Sequence, residues 1–96
     1  MNDKEAYLEK IKARLDLLEA RFNILKIKAK EAKTDARIRY EKQIKDLLKK
    51  RVAAHAQINN LSQKGEDAWE ALKSGIEDAL NDLRNAIKDA TTQLET

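Results

Sequence analysis

His55 is the only histidine of the chain, and there is no cysteine to join it. A metal or acid–base centre built on a helix needs a second ligating side chain three or four residues away, as in a Glu-x-x-His pair. The neighbours of His55 include Arg51, Gln57, Ile58 and Asn59 but no carboxylate, so His55 reads as an imidazole at the edge of a helix surface. The densest run of acids is Glu66, Asp67, Glu70, Glu77, Asp78 and Asp82. No second ligand type stands among them, which makes them a solvated or salt-bridging face. A glycine-rich loop able to cradle phosphate is missing, as is a nucleophile with a base beside it. The expectation is therefore no catalytic residue, no metal and no cofactor, and a protein that is not an enzyme.

The basic residues are the stronger chemical signal. The net charge is +3, but the charges are segregated. Residues 26–51 carry eleven basic groups against four acidic ones, whereas residues 62–96 carry four basic against eight acidic, so the middle stands at +7 and the last third at −4. Blocks of opposite sign attract. Lys26, Lys30, Lys33 and Arg37 follow one face at helical spacing and form a possible anion-binding face. Binding of nucleic acid or an anionic membrane surface through segment 26–51 is the alternative function this suggests. Two features weigh against it: no recognition motif or interleaved aromatics accompany the run, and an acidic last helix would neutralise part of it.

The elements that position these groups are helices. Proline is absent, glycine occurs only at 65 and 75, and good helix formers dominate. Apolar residues return every three or four positions at Leu8, Ile11, Leu15, Leu18, Phe22, Leu25, Ala29, Ala32, Ala36, Tyr40, Ile44, Leu47, Ala54, Ile58 and Leu61. Such a stripe is buried against other helices. The spacing predicts one long helix over about 3–61, with a stutter between Ala29 and Tyr40 that locally relaxes any supercoil. Asn59–Glu66 holds the clustered Asn, Ser and Gly, and predicts a turn at about 62–66. Gly65 is placed there as a left-handed residue, and Asp67 with Glu70 as a capping box. A shorter helix over about 67–94 then carries Trp69, Leu72, Ile76, Leu80, Leu83 and Ile87.

Folded back at the turn, the second stripe meets the first in antiparallel order, with Trp69 near Ile58, Leu80 near Leu47, Leu83 near Ile44 and Ile87 near Tyr40. This all-α antiparallel hairpin, residues 33–94, leaves residues 1–32 of the single helical domain overhanging. The overhang has a second apolar flank at Leu17, Ile24 and Ile27. The expected partner is the protein itself, in a homo-oligomer of two or more chains forming a coiled-coil-like bundle. Leu8, Ile11, Leu15, Leu17, Leu18, Phe22, Ile24 and Leu25 would form the interface. Another helical protein is a further possible partner. The alternative architecture is a compact three-helix bundle with a break near 33–35.

The run Asp67-Ala-Trp-Glu-Ala-Leu-Lys-Ser-Gly-Ile-Glu-Asp-Ala-Leu-Asn-Asp-Leu, with Tyr7, the Lys/Ala-rich middle and Arg39-Tyr40-Glu41, resembles a group of small bacterial and cyanobacterial coiled-coil proteins. They share an Ala-Trp-x-x-Leu-Lys-x-Gly core in the last helix. The resemblance implies a coiled-coil protein of unknown function, linked in some members to stress response, with no catalytic residues. The apolar runs fall far short of the roughly 20 residues that span a bilayer, and Met1–Tyr7 is too charged for a signal segment. A cytoplasmic location is expected.

Overall fold

A computed structural model describes residues 2–65 and 68–94. Helix α1 (Asp3–Glu31) begins where the side chain of Asn2 accepts the backbone N–H of Glu5 at 2.8 Å, which satisfies one of the unpaired amides of the first turn. Asp3 and Glu5 place acid on the positive helix end, and Lys28 and Lys30 place base on the negative one. Helix α2 (Thr34–Gln63) and helix α3 (Trp69–Leu94) follow, and no strand occurs among the described residues.

The long helix expected over 3–61 is two helices. Ala32 (φ −77°, ψ 152°) and Lys33 (φ −69°, ψ 162°) are both extended. Any L-residue reaches that region, so the break needs no glycine, asparagine or proline. Energetics favour it. Reversing direction buries Ile11, Leu15, Leu18, Phe22 and Leu25 within the chain, each contributing roughly 1.5–3 kcal/mol. Breaking one helix forgoes a few backbone hydrogen bonds of about 1 kcal/mol apiece.

The three helices, of 29, 30 and 26 residues, lie side by side in a bundle 51 × 18 × 18 Å. Each packs on the other two. Contacts of α1 with the far end of α2, and of Tyr7 with Trp69, show that α1 runs antiparallel to α2 and parallel to α3. Residues 1–32 therefore do not overhang a hairpin. Their seam joins Leu47, Ala54, Ile58, Leu61, Ile76, Leu80, Leu83, Ile87 and Ala90 in one core, with Leu8, Ile44 and Leu72 packed at its edge. The bundle matches the compact alternative, with the break at residues 32–33.

Within the bundle α2 and α3 run antiparallel, in a register that differs from the one expected for the hairpin. Lys50 faces Asp82 at 2.8 Å, Gln43 faces Gln93 at 2.8 Å, and Gly75 lies against Gln57. The pairing of Trp69 with Ile58 would instead set Asp82 near Lys45 and Gly75 near Val52, at least five residues and so roughly one and a half helical turns away. The turn between them leaves α2 through Lys64 in an extended conformation (φ −91°, ψ 149°), its N–H donating to Leu61 O. Gly65 does not adopt positive φ, which corrects its assignment as a left-handed residue. The expected capping box falls on Asp67, which lies outside the described residues. Ala68 N–H donates to Gly65 O at 3.2 Å, and Trp69 opens α3 buried in the core.

Candidate interaction surfaces

Ion pairs fasten the helices to one another around the apolar core. Arg14 Nη1 donates to both oxygens of Glu77 at 2.8 Å, and the hydroxyl of Tyr7 donates to Glu77 Oε1 at 2.8 Å. Burial alone would raise the pKa of Glu77, but the bonds from Arg14 and Tyr7 outweigh it and hold the carboxyl below its ordinary range. The same bond, added to burial, pushes the Tyr7 phenol above its ordinary value. Lys73 stands over the rings of Tyr7 (5.0 Å) and Trp69 (5.4 Å).

On the other side of α1, Glu19 Oε1 accepts from Arg51 Nε at 2.9 Å and lies 2.5 Å from His55 Nε2. Desolvation pushes the Glu19 pKa up, and its two partners more than reverse this. His55 thus has a carboxylate partner after all, supplied by another helix. That contact was invisible to a search along the chain, since Glu19 is 36 residues away. Among the described residues no group of three His, Cys, Asp or Glu is placed to hold a metal ion.

The residues expected to form an oligomer interface divide into two sets. Ile11, Leu15, Leu18, Phe22 and Leu25 are buried in the chain's own core and Leu8 is at its edge, so they are not free to meet another chain. Leu17 and Ile24 are 55% and 54% exposed, and Ile27 is 57% exposed. With the exposed Ala13 and Ala20 they make the series 13, 17, 20, 24, 27, a 4-3-4-3 spacing on the side of α1 opposite the core. Ile38, Leu48 and Val52 of α2 are also exposed but do not continue as a heptad.

The proposed anion-binding face is split by the break. Lys26 and Lys30 sit at the end of α1, Lys33 at the start of α2 and Arg37 within it. The fold reunites three of them, for Lys26, Lys30 and Arg37 line one hollow of about 350 Å³ together with Glu41. Arg37 Nη2 donates to Lys30 O at 3.1 Å, and Lys26 stands 5.6 Å over the Phe22 ring. A carboxylate inside the hollow offsets part of its charge.

A larger groove, about 550 Å³, runs between α1 and α3 and was not anticipated from the sequence. Arg21, Lys28, Arg84 and Lys88 flank it, Ile24, Leu25 and Ile87 contribute apolar surface, and Asn85, Thr91 and Thr92 complete it. Two of its cations lie on α3, inside the segment whose net charge is negative, so regional charge concealed them. No helix among the described residues is long and apolar enough to cross a membrane. Comparison with protein-family models, with curated proteins and with solved structures gives no match for this chain.

Proposed function

We propose that the protein is a non-enzymatic helical interaction module that pairs with a second copy of itself through the outer face of α1. The observation that carries this reading is the exposed heptad series Ala13, Leu17, Ala20, Ile24 and Ile27, on a helix whose core face is already satisfied. Water is a poor environment for such a stripe, and the two alanines allow a neighbouring backbone to approach closely.

Charge selects a parallel arrangement. With Leu17 and Ile24 at the a positions, the g flank carries Glu9, Asp16, Asn23 and Lys30, and the e flank Arg14, Arg21 and Lys28. Parallel pairing sets Asp16 against Arg21 of the partner subunit, whereas Arg14 is already engaged by Glu77 of its own chain. Antiparallel pairing would oppose the e flanks, cation to cation. The resemblance to small coiled-coil proteins, some of them linked to stress, would imply an assembly role of the same kind. The test is sedimentation equilibrium over a concentration series. The unaltered chain is expected at twice its 11.0 kDa mass, and the Ile24→Asp/Ile27→Asp double variant at single mass with its helix content kept. A monomeric unaltered chain at all concentrations, or a double variant that still dimerises, overturns the reading.

A further inference from the structure

The groove between α1 and α3 joins two properties. Its floor is aliphatic, formed by Ile24, Leu25 and Ile87, and its rim is cationic, with no carboxylate among the lining residues. Three cations outside the groove are paired across helices, Arg14 with Glu77, Arg51 with Glu19 and Lys50 with Asp82. Arg21, Arg84 and Lys88 have no ion pair among the described residues. Three guanidinium or ammonium groups held around one hollow repel one another, and an anion placed between them relieves that repulsion. The stretch from Arg21 to Lys28 gives the groove a length of roughly 10 Å, and its volume falls within the range of small-molecule sites.

The geometry points to a binding site for a single-chain anionic amphiphile, a carboxylate or phosphate head carried on an aliphatic tail of medium length. The head is held by Arg84 and Lys88, whose i,i+4 spacing sets them on one face of α3, with Arg21 opposite on α1. The tail lies along Ile24, Leu25 and Ile87. A head without a tail leaves the aliphatic floor uncovered, and a tail without a head leaves the cations unpaired, so the site discriminates for both parts. One chain forms the whole groove, but Arg21, Ile24 and Lys28 also belong to the seam and e flank proposed for self-association, so ligand and second copy compete for them and dodecanoate is expected to lower the dimer fraction.

The probe is dodecanoate below its micelle concentration, titrated calorimetrically into the full chain at low salt. Saturable one-to-one binding is expected, with acetate and inorganic phosphate at least about tenfold weaker. Arg84→Glu/Lys88→Glu is expected to weaken dodecanoate at least about tenfold. Both residues are exposed and outside the α1 seam. Asn85→Trp, which fills the groove with no change of charge, is expected to abolish binding, and circular dichroism checks that each variant keeps its helices. Equal affinity for acetate, or unchanged dodecanoate binding in Asn85→Trp, overturns the site. Binding seen only with phosphatidylglycerol vesicles, and kept by Asn85→Trp, overturns it in favour of an anionic membrane surface.

Discussion

The phenol ring of Tyr7 lies against the indole of Trp69, their centroids 5.6 Å apart and their planes tilted by 34°. This contact joins the second turn of α1 to the first residue of α3. Lys4 strengthens the same end of the bundle, donating from Nζ to the carbonyl oxygens of Ser62 and Lys64. The N-terminal helix therefore clamps the turn between the other two. Replacing Tyr7 with Ala removes a buried ring and a hydrogen bond to a carboxylate, and is expected to cost about 3 kcal/mol. Tyr7→Phe should cost about 1 kcal/mol. Urea unfolding gives both values, and the Trp69 emission should shift to the red in Tyr7→Ala as the indole loses its cover.

The two interhelical carboxylates make stability depend on acid. Glu77 and Glu19 are both held below their ordinary value of 4.5 in the folded chain. Each contributes stability that is present above 4.5 and lost as pH falls through its folded value. The urea midpoint should therefore drop steeply below pH 4.5, and Glu77→Gln and Glu19→Gln should each flatten that drop. Tyr7 behaves in the opposite sense. Its raised value gives stability present below 10 and lost as pH climbs above it, so Tyr7→Phe should soften the alkaline limb.

The glycines are replaceable. Gly65 does not have positive φ, and a Cβ there would meet nothing within 4 Å. Gly65→Ala is expected to leave stability unchanged or raise it by up to about 1 kcal/mol, through the unfolded chain. Gly75 lies inside α3, where a Cβ would sit 3.5 Å from Gln57 Oε1, an ordinary contact. Gly75→Ala should raise stability by about 0.5–1 kcal/mol. Thermal melts of the two variants check this.

The break itself can be probed with proline. Lys33 has φ −69°, Ala32 before it is extended, and the Lys33 N–H makes no backbone hydrogen bond. All three suit a proline at 33. Lys33→Pro is expected to change stability by less than about 1 kcal/mol. In a helix continuous through this point the same substitution would cost about 3 kcal/mol or more.

Helical structure and the core face of α1 were legible because apolar spacing alone determines them. Ile11, Leu15, Leu18 and Phe22 belong to the predicted seam and are all buried. What the seam faces was not legible, since spacing specifies a buried stripe but not whether the covering helix belongs to the same chain. The bend at Ala32–Lys33 left no mark because extended backbone demands no special residue. Leu17, Ile24 and Ile27 did stand out as a second apolar flank, and all three are left exposed on α1. Glu19 with Arg51 and His55, and the cations of the α1/α3 groove, come together only through tertiary packing, so no local pattern could have paired them.

Leu17 and Leu18 are adjacent in sequence and opposite in the fold, one on the outer seam at 55% exposure and the other in the core at 5%. The decisive measurement is sedimentation equilibrium with circular dichroism on Leu17→Asp and Leu18→Asp side by side. Leu17→Asp should give a fully helical monomer, and Leu18→Asp should lose most of its cooperative structure. A helical monomer from Leu18→Asp, with Leu17→Asp still associated, would contradict the bundle and its outer interface together.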